Sequence, residues 1–212
     1  GSLLKFFKAQ GMRVLGIDPA REIARQATES GVETLPEFFG SKLAARIRKE
    51  YGGASVCCAN NVFAHADDLA DIARGIQDVL SDDGVFVFEV SYLVDIVDNF
   101  LFDTVYHEHV SYHSIAPFAK FFERMGMQLI DVQRIASKGG SIRGFAQRLP
   151  EGKRPPQPIV GDLIAIEQSR GFDRLPLYRD YANRIDQRKV ALNAFLDREI
   201  AHGKMIAGYG AS

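Results

Sequence analysis

Cysteine is almost missing from this sequence. Its 212 residues hold two, Cys57 and Cys58, side by side in an apolar run. Adjacent cysteines build neither a disulfide framework nor a zinc knuckle. They read as small residues filling a buried strand, and a reducing, cytoplasmic setting is expected. Long apolar runs are missing too. Nothing approaches the roughly 18 consecutive apolar residues of a membrane span. The opening stretch, Gly1 to Phe7, is expected not to be a signal peptide, being short and interrupted by Lys5. Charge of one sign is not in excess: 26 Lys and Arg face 27 Asp and Glu, a net charge of −1. That balance gives no pull towards nucleic acid or an anionic membrane. No internal repeat or low-complexity tract stands out.

What the chain does have is apolar mass. Hydrophobic residues make up 46%, enough to bury a core and to exclude disorder. The length suits one large domain, or one domain plus a smaller piece. Residues 2–10 read as a helix. Met12 to Ile17 is a short apolar run with strand character, ending in Asp18-Pro19. Pro19 suits the first turn of a helix reaching about Ser30, with Gly31 as its stop. Asp18 then either caps that helix or, as an acidic residue at a strand's C-terminal end, binds two ribose hydroxyls. Residues 36–51 are predicted helical. Residues 54–59 read as a buried strand that empties into Asn60, Asn61 and Phe63. Asp67 and Asp68 open the next helix, with Leu69, Ile72, Ala73, Ile76, Val79 and Leu80 on one face. Asp82-Asp83-Gly84 reads as a turn, and Val85 to Val90 as a strong strand.

Alternation of this kind predicts a parallel α/β sheet covered on both faces, with ligands at the C-terminal ends of the strands. Asp18, Asn60, Asn61 and Glu89 share that rim. A helix over 114–125 follows, with Phe118, Phe121 and Phe122 facing in. Then 127–135 and 141–148 read as an antiparallel hairpin closing the sheet. Pro150 to Pro158 is a linker, rich in proline and charge. Two helices, about 159–170 and 177–201, lead to Gly208–Ser212, which resembles a strand running into a glycine-rich phosphate turn. A helix at the first residue and a turn cut at the last suggest a fragment.

The densest chemistry lies in Phe102 to Ser114. Three of the five histidines, His107, His109 and His113, fall there with Glu108, Tyr106 and Tyr112. Histidine titrates near neutral pH and is the usual general base. His107 and His113 read as structural. His109 and His113 are four apart, but no Glu follows the first, as the helical zinc-protease motif requires, so no metal is expected.

This segment, Phe-Asp-Thr-Val-Tyr-His-Glu-His-Val-Ser-Tyr, is similar to the signature of S-adenosylmethionine-dependent sugar C-methyltransferases, which methylate C3 of nucleotide-linked 4-keto deoxysugars. Asn61-Val-Phe-Ala-His65, Phe88-Glu-Val-Ser-Tyr92, Gly139-Gly-Ser-Ile-Arg143 and Gly208-Tyr-Gly-Ala-Ser212 match in order. The resemblance implies a Rossmann-like class I methyltransferase sheet with a terminal antiparallel hairpin. It divides the chain into a truncated methyltransferase domain (1–149), the linker (150–158) and the helical start of a truncated C-terminal α/β domain (159–212). A cysteine-rich zinc domain, common at the family's N-terminus, is not in this sequence. Of the first cofactor loop only Gly1 remains.

By the same resemblance His109 is the base that removes the C3 proton, Glu108 the alternative base or orienting group, and Tyr106 a donor near the keto oxygen. The enolate carbon then attacks the cofactor's methyl group. Gly1, Asp18, Asn60, Asn61 and Phe63 would hold S-adenosylmethionine. His65, Glu89, Lys138, Arg143 and Tyr209 are candidates for the substrate side; His65 is otherwise a plain loop histidine. The implied partner is a small nucleotide sugar, with neither nucleic acid nor membrane, and the chain is expected to be a monomer or weak homodimer. Rival readings are an O- or N-methyltransferase on this fold, a nicotinamide-dependent oxidoreductase built on Gly208-Tyr-Gly, and a non-catalytic binding module.

Overall fold

The computed structural model describes residues 2–208 and 210. The chain begins in helix α1 (Ser2–Ala9). Strand β1 (Gly16–Ile17) leads to α2 (Arg21–Glu29), and β2 (Thr34–Leu35) to α3 (Ser41–Tyr51). Next come β3 (Ala54–Asn60), α4 (Leu69–Val79), β4 (Leu80–Ser91) and α5 (Leu93–Asp98). Helix α6 (Ile115–Arg124) precedes the hairpin of β5 (Met127–Ile135) and β6 (Ser141–Arg148). Helices α7 (Pro158–Ser169) and α8 (Leu175–Ala201) finish the described fold.

The expected parallel sheet is divided into two pieces. β1 and β2 pair in parallel as a two-stranded sheet, and a four-stranded sheet runs β3-β4-β6-β5. β3 and β4 are parallel, whereas β4–β6 and β5–β6 are antiparallel. The closing hairpin therefore has the predicted bounds and inserts its second strand next to β4. Three local differences have plain causes. β2 escapes sequence reading because two residues carry no period. α5 was not anticipated in the stretch after β4. The predicted turn at Asp82–Gly84 is instead a bulge within β4, where Ala54 pairs with Leu80 but Val56 already pairs with Val85.

The core follows the alternation of β4. Phe86, Phe88 and Val90 are buried, and the residues between them only partly so. Phe88 packs on Phe63, Phe118 and Phe122 at centroid separations of 5.8, 5.0 and 5.4 Å. Sealing a ring of this size from water stabilises the fold by about 1.5–3 kcal/mol. The ring cluster locks α6 and the short turn Phe63–His65 onto the sheet. Gly126, at φ 68°, ends α6, and a Cβ there would press on the Gln77 side chain. Helix α7 adds Val160 and Leu163 to the same core, so the linker separates elements in sequence without separating cores. Helix α8 spans about 40 Å at the standard rise. Its Tyr178 and Tyr181 are half-buried, while Leu192, Phe195 and Ile200 further along are exposed.

Candidate active site

Asn60, Asn61 and Glu89 stand together at the ends of β3 and β4 in the four-stranded sheet, whereas Asp18, expected on the same rim, follows β1 of the separate two-stranded sheet. β3 ends at Asn60, which stands opposite Glu89 of β4. Asn61 then adopts a left-handed backbone, φ 55°, and donates its N–H to the Glu89 carbonyl at 2.7 Å. Asparagine tolerates that conformation better than most side chains. The kink turns the chain into the Phe63–His65 turn. One turn thus sends the Phe63 ring down into the core and the His65 imidazole to the surface.

The histidine-rich segment lies over this turn. Val110 donates its N–H to the Ala64 carbonyl at 2.8 Å, and the Ser111 hydroxyl reaches the Phe63 carbonyl at 3.3 Å. Two imidazoles are brought together across 44 residues of sequence: the His65 and His109 rings lie 4.8 Å apart. Each is held by a backbone carbonyl. His109 Nδ1 sits 2.9 Å from the Thr104 oxygen, and His65 Nδ1 sits 2.9 Å from the Glu108 oxygen. A carbonyl only accepts, so in both rings Nδ1 carries the proton and Nε2 keeps its lone pair. The Tyr106 hydroxyl is 3.3 Å from His109 Nε2, with the two rings 4.4 Å apart. The arrangement is a proton acceptor of fixed tautomer, with a second imidazole and a phenol beside it.

The remaining predicted residues divide. Glu108 enters the site through its carbonyl, and its exposed side chain has no hydrogen bond or ion pair among the described residues. His107 is exposed. His113 is buried and stacks on Phe118 at 4.5 Å, with Ser111 Oγ 3.0 Å from its Nε2. Burial pulls its pKa down to about 4, which keeps it neutral and structural. Phe63 was expected to line the cofactor, but its ring is fully buried and only its backbone can reach the rim. Asp18 accepts the Ala20 N–H on Oδ1 at 2.9 Å. α2 starts only at Arg21 with Ala20 at its N-cap, so the aspartate turns the loop three residues before the helix instead of capping it, and leaves Oδ2 to other donors. Glu89 and Arg143 stand opposite each other in β4 and β6. Their ion pair spans 3.1 Å, and Ser137 adds its hydroxyl to the carboxylate at 3.1 Å. Lys138 is exposed with φ 53°. Gly1 and Tyr209 lie outside the described residues, as do Ala211 and Ser212 of the glycine-rich turn.

Burial raises both Cys57 and Cys58, Cys57 to about 12, so neither thiol supplies a nucleophile near neutral pH. Among the described residues no three His, Cys, Asp or Glu side chains group as a metal site. Among the described residues no helix is long and apolar enough to cross a membrane. A cleft of about 570 Å³ is lined by Asp98, Arg170, Tyr181 and Arg184, and the histidine pair is not among its lining residues. Thr104 is the functional residue that sequence reading missed. It acts through its carbonyl, and a carbonyl leaves no mark in sequence.

Residues 1–132 match a family described as "Methyltransferase domain", and residues 136–212 match one described as "C-methyltransferase C-terminal domain". The chain is 36% identical over 211 residues to C-methyltransferase NovU of Streptomyces niveus, covering 100% of this chain and 50% of that protein. It therefore spans about half the length of the curated relative that it matches. Among solved structures, a SAM-dependent methyltransferase from Anabaena variabilis superposes with a TM-score of 0.54 at 16% identity, over 70% of this chain and 73% of that one. The PH0226 protein of Pyrococcus horikoshii gives a TM-score of 0.53 at 11% identity, over 70% and 77%. At those identities the likeness concerns the fold alone.

Proposed function

The chain belongs to the methyltransferase domain family, and from that premise we propose that it carries the site of an S-adenosylmethionine-dependent C-methyltransferase acting on a nucleotide-linked 4-keto deoxysugar. The C-methyltransferase match over residues 136–212 and the NovU likeness support carbon as the acceptor. The observation that carries the chemistry is the His109 imidazole, whose Nδ1–H is held by Thr104 and whose Nε2 is presented at the rim.

Carbon next to a ketone becomes a nucleophile when its proton is removed. His109 Nε2 takes the proton, and the C–H electron pair moves into the enolate. The Thr104 carbonyl then stabilises the imidazolium through the retained Nδ1–H. The Tyr106 hydroxyl, already beside Nε2, turns to the oxygen where the enolate charge collects. His65 is the second imidazole through which the proton can leave. When bound, S-adenosylmethionine supplies an electrophilic methyl group to the carbanion. The residues present suit that cofactor. Asp18 Oδ2, which makes no hydrogen bond among the described residues, would accept from ribose hydroxyls, and the exposed amide of Asn60 at the end of β3 would face the rest of the cofactor. For the sugar nucleotide the candidates are Glu89, Arg143 and Lys138; Tyr209, assigned to the same role, lies outside the described residues. The free thiols Cys57 and Cys58 support a reducing, cytoplasmic setting.

Calorimetric titration with S-adenosylhomocysteine tests the cofactor, on this chain and on a version extended at both ends to the length of the relative. Binding is expected at least in the extended form. Absence of heat in both would sink the cofactor assignment. Methyl transfer to a nucleoside-diphosphate-linked 4-keto deoxysugar then tests the acceptor.

A further inference from the structure

The segment that carries His109 is gripped from outside the sheet. Glu167 of α7 is 2% exposed. Its Oε1 accepts from the Tyr92 hydroxyl at 2.8 Å and from the Ile115 N–H at 2.7 Å; its Oε2 accepts from the Ala116 N–H at 2.9 Å. The last two are orphan donors at the first turn of α6. Ser114, at the N-cap, makes no side-chain cap of its own. A carboxylate from half a hundred residues downstream thus does the work of a local cap, and the helix dipole favours its charge. A buried carboxylate is tolerated only when its oxygens are satisfied. These three donors satisfy them.

What the carboxylate joins is the exit of the rim segment. His113 forms an isolated bridge with Tyr92, and its carbonyl accepts the Leu93 N–H at 2.9 Å. Tyr92, His113 and the start of α6 therefore converge on Glu167. The entry of the segment is held by the same pair of helices. Asp98 pairs with Arg170, Tyr181 packs edge-on to Phe100 at 5.5 Å, and the Arg184 guanidinium lies 4.6 Å over the Phe100 ring. Both ends of residues 99–114 are thus fastened by α7, α8 and the turn between them.

We infer that α7 and α8 are a positioning clamp for the histidine-rich segment, with Glu167 as the positioning residue at its exit. The inference rests on the proposed role of His109 for its consequence in catalysis, but the clamp itself can be read without turnover. A sequence signal existed: Glu167 continues the buried stripe of Val160 and Leu163 at helical spacing, where a carboxylate is out of place unless it is bonded.

Hydrogen exchange on this chain tests the clamp. In Glu167→Gln the side-chain NH₂ must face one of the two backbone donors, Ile115 or Ala116, so one cap bond and the charge are lost while the volume is kept. Exchange should rise about tenfold across 104–116, including the Val110 amide bonded to Ala64, while β5 and β6 keep their protection. Val110 is the diagnostic amide, because loss of a helix cap alone would not reach it. Unchanged exchange at Val110, or equal loosening of β5 and β6, would overturn the inference. Should Glu167→Gln not fold, Tyr92→Phe removes one donor and leaves the backbone cap. It should speed exchange over 104–116 by a smaller factor, and no change there counts against the clamp. In a transfer assay on the extended form, Glu167→Gln should lower kcat roughly tenfold and leave the KM for S-adenosylmethionine unchanged. Glu167→Asp should restore part of that loss. If the unmutated protein transfers no methyl group, the functional reading fails, and the exchange experiment still decides the clamp.

Discussion

His109 and His113 stand four residues apart on one segment, and the fold treats them in opposite ways. His113 belongs to the floor, stacked on Phe118 and walled off from water. His109 belongs to the rim, with Nδ1 fastened to a carbonyl and Nε2 beside the exposed Tyr106 hydroxyl. Phe63 and His65 repeat the contrast two residues apart in the turn beneath. The floor is built from rings that exclude water, and its histidine loses its charge. The rim is built from backbone carbonyls that orient imidazoles while leaving their lone pairs in reach of solvent. Residue type alone does not make a base; the difference lies in which neighbour takes the Nδ1 proton and whether water can enter.

The contrast can be broken from either side. The largest expected effect is on the rim. His109→Asn should cut methyl transfer by about 10²–10⁴-fold, since a positioned general base is worth that much. Its melting temperature and S-adenosylhomocysteine binding should stay near those of the parent. Near-normal transfer would remove His109 from the role. On the floor, Phe63→Ala should cost about 3–5 kcal/mol in denaturant unfolding. A loss below about 1 kcal/mol would mean that the turn is not held by its ring.

The third test uses pH. His113 has its folded pKa depressed from 6.5 to about 4, so the unfolded chain binds its proton more readily. Its contribution to stability is complete above pH 6.5 and falls away as pH drops towards 4, by a total of about 3 kcal/mol. His113→Phe should flatten that part of the stability profile, and an unchanged slope would contradict its burial. The smallest effect is expected at the exposed side of the rim. Arg143→Ala breaks a pair whose arginine is 42% exposed but whose Glu89 is 12% exposed and keeps, among the described residues, only the Ser137 hydroxyl, and it should cost about 1–2 kcal/mol in thermal unfolding. A larger loss would place Arg143 with the floor.

Much of the fold was legible. The strand character of Val85 to Val90 and the runs on either side of Lys138-Gly139-Gly140 mark the second half of β4 and the whole hairpin with little help from context. Asp68 caps α4 as read, its side chain accepting the Asp71 N–H at 2.8 Å. Elements of two residues were not legible, because β2 owes its existence to pairing with β1 and not to any period of its own. Of the site, the segment from Tyr106 to His109 stood out by composition. The meeting of His65 with His109 did not, nor did the two carbonyls that set their tautomers.

By itself the sequence determined which residues could carry proton chemistry and where the strands and helices run, because periodicity and side-chain type are local properties. Only the tertiary structure decided which histidine is packed into the core and which presents a ring nitrogen at the rim. That choice depends on how the segment is seated on distant parts of the chain: Val110 on the Ala64 carbonyl, the His109 ring beside His65, and Glu167 on Tyr92 and the start of α6. Burial and hydrogen-bond partners are properties of the assembled fold, and they set whether an imidazole keeps an open lone pair at the surface.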